Sequence, residues 1–121
     1  MAESVDPSAA RSLREIQAHI DAWIAENGGY WPPLSMLARL TEETGEVARE
    51  YNHRFGAKKK KASEGGATPG TPEAKAELAA EFADVLFILL SMANEQGIDM
   101  DEAFSAVMQK LVVRDAGRFR V

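Results

Sequence analysis

Two acidic patterns in this chain have the spacing to do chemistry. The first is Glu42-Glu43-Thr44-Gly45-Glu46 and the second is Glu81-Phe82-Ala83-Asp84. On a helix, residues three apart are neighbours, with Cβ atoms roughly 5–6 Å apart. Glu43 and Glu46 can therefore point at one place, as can Glu81 and Asp84. If the two helices pack side by side, four carboxylates converge. Four anions cannot share a partly buried site without compensation, so either some are protonated or cations sit between them. Oxygen-only donors of this kind suit Mg²⁺ or Mn²⁺. With about 100° of turn per residue, the apolar stripe of the first helix centres near Thr44. Glu43 lies at its border, Glu46 further round the same flank, and Glu42 roughly opposite. Glu43 and Glu46 are the expected ligands of that pair, and Glu42 is a candidate for an outer position or for a base.

The neighbours of Asp84 are apolar: Phe82, Ala83, Val85, Leu86, Phe87, Ile88, Leu89 and Leu90. A helix apolar nearly all round is expected to be buried nearly all round, and an ionised carboxylate there is costly unless compensated. The competing reading of Asp84 is a core ion pair with Arg39, Arg49 or Arg54. For Glu42, Glu43 and Glu46 it is a solvated helix face.

Four helices are expected to position these groups. The first spans roughly 7–27, opening on Asp6-Pro7 and closing on Asn27-Gly28-Gly29. Leu13, Ile16, Ile20, Trp23 and Ile24 form its apolar stripe. After Tyr30-Trp31-Pro32-Pro33, a second helix runs 34–55, with Leu37, Leu40, Thr44, Val47 and Tyr51 facing inward. A third spans 72–95, with Thr71 as its cap, and Gln96-Gly97 ends it. A fourth spans 100–113, starting at Asp99 or Asp101 and carrying Phe104, Val107, Met108 and Leu111. Residues 57–72 have linker composition and are expected to form a mobile loop. No alternating strand pattern and no repeat appear. The expectation is one all-α domain over 1–121, a four-helix bundle assembled as an oligomer. The apolar circumference of the third helix exceeds what one short bundle partner would cover.

Composition narrows the function classes. With 19 acidic against 14 basic residues the net charge is -5, which argues against a general nucleic-acid binder. The absence of cysteine removes disulfides, thiolate metal sites and cysteine nucleophiles, and is compatible with a cytoplasmic location. The run from Phe82 to Ala93 is too short for a membrane span, and no signal peptide is visible at Met1-Ala2-Glu3-Ser4.

The two acidic patterns, in this order, resemble those of the MazG family of nucleoside triphosphate pyrophosphohydrolases, most closely its small stand-alone members. Gly29-Tyr30-Trp31-Pro32-Pro33, Asn52-His53-Arg54-Phe55-Gly56 with its lysine run, Ala93-Asn94, Gly97-Ile98-Asp99, and Arg114-Asp115 with Arg118-Phe119 extend the likeness over about Ile16 to Phe119. One departure is a longer gap between the acidic patterns. The resemblance implies an all-α homodimer or homotetramer that hydrolyses a nucleoside triphosphate to monophosphate and pyrophosphate. It implies Mg²⁺, or Mn²⁺, held by Glu43, Glu46, Glu81 and Asp84. A spare glutamate, Glu42 or Glu46, would orient the attacking water or take its proton.

Substrate contacts are expected from several further residues. Lys58, Lys59, Lys60 and Lys61 are natural phosphate binders, or else a solvated run. Arg114 and Arg118, four apart, could reach phosphate or serve a surface or subunit contact. Trp31 could stack on a base or plug the end of the helices. Asn94 could pair with a base edge or simply finish a helix. His53 reads as a structural residue at a helix end, with phosphate or base contact as its alternative. No nucleic-acid polymer and no membrane is expected as a partner. Two rivals remain at the level of sequence: a hydrolase of another nucleotide diphosphate bond, and a non-catalytic helical interaction module.

Overall fold

The structure, a computed structural model, describes residues 12–56, 65–114 and 117–118. Among them are four helices and no strand: α1 (Leu13–Glu26), α2 (Pro33–Phe55), α3 (Pro72–Glu95) and α4 (Met100–Arg114). The chain divides into two compact units. One comprises Met1–Tyr30 and Leu90–Val121, the other Trp31–Leu89, so α3 contributes to both.

In the first unit, α1 begins at Leu13 rather than near residue 7. Ser12 has extended backbone and its hydroxyl accepts from the Glu15 amide, which fixes the helix start there. The Asp101 carboxylate accepts from the Leu13 and Arg14 amides as well, satisfying two more of the donors that a helix start leaves open. The far end closes on Asn27, and Gly28 and Gly29 take positive φ so that the Gly29 amide can reach the Ile24 carbonyl at 2.8 Å. Ile20 and Ile24 pack with Leu90, which is 1% exposed, and Leu13, Ile16, Tyr30 and Met100 pack around them. Trp23, expected in this stripe, is exposed.

A polar network locks the same unit. Gln17 is buried; its amide nitrogen donates to the Asn94 side chain and the Ile98 carbonyl, and its oxygen accepts from the Met100 amide. Asn94 donates back to the Gln17 carbonyl. The Asp99 side chain accepts from the Asp101 and Glu102 amides and caps α4.

In the second unit, α2 and α3 are joined through 57–71. Of the expected loop, 57–64, including Lys58 to Lys61, lies outside the described residues. The rest is anchored. The Ala67 amide donates to Glu77, and the Thr71 hydroxyl accepts from the Ala74 amide as the expected cap.

Two expectations about burial fail. On α2 the buried residues are Met36, Glu43 and His53, with Leu40 and Val47 half-buried, while Leu37 and Tyr51 are exposed, so the covered stripe runs through Glu43 and leaves Glu46 open. On α3, Phe82, Leu86, Phe87, Leu89 and Asp84 itself are exposed. The reason is geometric: one neighbouring helix can cover only one stripe of a helix, and the remaining apolar circumference stays open. The same holds for α4, none of whose residues is buried; Phe104, Val107, Met108 and Leu111 all lie open.

Candidate functional site

The carboxylates sit in the second unit, where α2 and α3 present them to one point. Glu43, Glu81 and Asp84 each offer an oxygen within 4.8 Å of the others. Glu43 is 8% exposed, Glu81 half-buried and Asp84 exposed, so the cluster has a covered floor and an open mouth. Burial pushes the Glu81 carboxyl above the ordinary carboxylate range, and the nearby charges of Asp84, Glu46, Glu43 and Glu50 push it the same way.

Whether these donors suit a metal can be judged from their own state. Glu81 Oε2 is buried and has no hydrogen-bond partner, although a buried oxygen of this kind is normally satisfied. A bound dication would satisfy it and would relieve the repulsion that raises Glu81. Three carboxylate oxygens at this spacing form a hard, oxygen-only donor set, which fits Mg²⁺ or Mn²⁺.

The surrounding arginines behave differently from one sequence expectation. Arg39 pairs with Glu43 at 2.8 Å and Arg49 with Glu46 at 3.7 Å, both along α2. None of Arg39, Arg49 and Arg54 pairs with Asp84. These are intrahelical pairs at three- and four-residue spacing, available to α2 without any partner helix. Arg39 holding Glu43 was legible only as a spacing. Glu46 lies outside the three-residue cluster, on the exposed flank, but near enough for its charge to act on Glu81. Glu42 is exposed one position before Glu43.

This all-α pair of acidic patterns agrees with the comparisons. The model of the MazG nucleotide pyrophosphohydrolase domain matches residues 32–119. The chain belongs to the MazG family. It is 43% identical over 110 residues to YpjD of Bacillus subtilis (strain 168), an uncharacterized protein, covering 90% of this chain and 91% of that one. The crystal structure of that YpjD superposes with a TM-score of 0.70, covering 84% of this chain and 96% of the other. The Bacillus-conserved MazG protein, described as a nucleotide pyrophosphohydrolase, is 36% identical with a TM-score of 0.68, over 88% and 95% of the two chains. As a MazG-family chain, the protein is a hydrolase acting on pyrophosphate bonds.

The remaining expected contacts are distributed around the MazG fold. Trp31 is 53% exposed at the start of the second unit. Asn94 spends both ends of its side chain on Gln17, which favours its structural role over base recognition. Arg114 ends α4 and Arg118 lies in the turn beyond it, both exposed. Gln17, which organises the first unit, carried no sequence signal beyond being one polar residue beside an apolar stripe.

Proposed function

We propose that this protein hydrolyses nucleoside triphosphates to nucleoside monophosphate and pyrophosphate with Mg²⁺, Mn²⁺ being able to replace it. The observation that carries the reading is a buried Glu81 oxygen without a hydrogen-bond partner, on a carboxylate that clusters with Glu43 and Asp84. Glu43, Glu81 and Asp84 would hold the metal, with Glu46 as a fourth ligand. The metal, when bound, polarises phosphoryl oxygens, lowers the pKa of water and stabilises the departing pyrophosphate.

The chain's own residues supply the rest. Arg39 fixes the Glu43 carboxylate through its ion pair. Glu46, on the open flank and close enough to act on Glu81, orients the attacking water or takes its proton; Glu42 is the second candidate. Lys58, Lys59, Lys60, Lys61, Arg114 and Arg118 neutralise the phosphates, and exposed Trp31 stacks on the base. The exposed apolar residues of α3 and α4 support assembly as a homodimer or homotetramer. Clearing unwanted nucleotides from a cytoplasmic pool is the role this chemistry serves.

The test is product analysis on a panel of canonical and modified nucleoside triphosphates and nucleotide sugars, with Mg²⁺, Mn²⁺ or EDTA. Metal-dependent release of pyrophosphate from triphosphates is expected. Release of orthophosphate alone would mean that a different bond is cut, and cleavage restricted to nucleotide sugars would replace the substrate class.

A further inference from the structure

Along the face of α2 that carries Glu43 and Glu46, the next residues in helical register are Glu50, His53 and Arg54. With Ala67, Pro69, Ala74 and Leu78 they line a small pocket, open on one side. Its room is that of a single water-sized group. His53 is buried, and the Arg54 guanidinium has one nitrogen, Nη1, that is buried without a hydrogen-bond partner. Arg54 also lies over the Phe55 ring, a contact that satisfies none of its N–H groups. A cationic side chain that lines a pocket and keeps one donor without an acceptor points to an anionic oxygen from outside the chain.

The pocket's position says which anion. It stands beyond the carboxylates along both helices. Glu50 is seven residues past Glu43, and Leu78 is three residues before Glu81, or roughly 10 Å and 5 Å at 1.5 Å per residue. A polyphosphate whose reacting phosphorus lies at the carboxylate cluster would extend its outer end along this face. Glu50, which also lines the pocket, offers a phosphate no donor, so the attractive contact there is Arg54. We infer that Arg54, in the pocket it shares with His53, receives an oxygen of the terminal phosphate and so selects triphosphates over diphosphates. A phosphoryl oxygen is water-sized and enters; its phosphorus stays at the mouth. This rests on the triphosphate reading above.

Two measurements test it. The first compares kcat/KM for a nucleoside triphosphate and its diphosphate in the wild type, Arg54→Met and Arg54→Lys. Loss of a charged hydrogen bond should cut the triphosphate value about ten- to a hundredfold, mainly through KM, with the diphosphate changed less than about twofold. Lysine should restore part of the loss. Equal effects on both substrates, or none on either, would overturn the assignment. The second keeps the wild-type chain and uses inorganic tripolyphosphate and pyrophosphate with Mg²⁺ as probes. Binding is followed by calorimetry and by the NMR signals of the two histidine rings. Tripolyphosphate should shift His53 and leave His19 still, while pyrophosphate shifts His53 much less. Tripolyphosphate that binds without moving His53 would overturn the proposal even if the variants failed to fold. A wild type inactive on every nucleotide, yet showing the His53 response, would count against the reaction and not against the site.

Discussion

At the scale of single residues, the site is governed by where charge is tolerated. Glu81 holds its proton more tightly in the folded chain than in water, because burial and four neighbouring acids disfavour its anion. That stabilisation is complete below the ordinary glutamate range and is lost as pH rises through the raised value, above which the metal-free protein carries the cost of the ionised group. Glu81→Gln should therefore raise the metal-free melting temperature at neutral pH. It should also abolish stabilisation by Mg²⁺ and lower turnover by at least about a hundredfold. A melting temperature that falls, with Mg²⁺ stabilisation kept, would contradict this. Tyr30 offers a separate test. Burial, with the hydrogen bond it donates to Asp21, pushes its hydroxyl up to about 12 from 10. Its stabilisation is present below pH 10 and is lost as pH rises toward 12. Urea midpoints between pH 9 and 12 should fall more steeply in the wild type than in Tyr30→Phe.

At the scale of elements, the helices were readable because their ends are written in local chemistry. Thr71, Asn27-Gly28-Gly29, Gln96-Gly97 and Asp99 each cap or stop a helix through bonds to adjacent backbone. The start of α1 lies at Leu13 and not near residue 7 because Ser12 caps it, with help from Asp101, 88 residues away from Leu13, which accepts from the helix's first amides. The acidic patterns were legible as a pair because three-residue spacing needs no tertiary knowledge. That Asp84 stands open and Glu43 is buried was not legible, since both depend on which stripe of α2 meets α3. The Gln17 network is likewise tertiary. Gln17→Leu leaves the Asn94 oxygen and the Met100 amide without their partner, and should cost roughly 2–3 kcal/mol in chemical denaturation. Because Gln17 lies in the other unit from the carboxylates, metal-dependent turnover per folded molecule should be kept.

At the scale of the whole molecule, the open apolar surface sets the behaviour. Phe104 is 54% exposed, and Val107, Leu111 and Val112 lie open on the same helix. Among the described residues, no helix is long and apolar enough to cross a membrane. The assembly between copies proposed above would cover these apolar residues. Sedimentation should show a species larger than one chain, and Val107→Glu with Leu111→Glu should shift it toward the monomer. A monodisperse monomer in the wild type would contradict assembly while leaving the carboxylate site intact.

The proposed catalytic dication would be held by Glu43, Glu81 and Asp84. Its most direct test titrates Mg²⁺ into the wild type and Asp84→Asn, reading thermal unfolding and pyrophosphate release from the same samples. In the wild type, Mg²⁺ should raise the melting temperature, by about 2.7 kcal/mol of stabilisation at a hundredfold excess over Kd, and pyrophosphate release should rise along the same curve. Asp84→Asn should keep its helical content and show neither response. Undiminished release from folded Asp84→Asn, or release that ignores Mg²⁺ and survives EDTA, would contradict the claim.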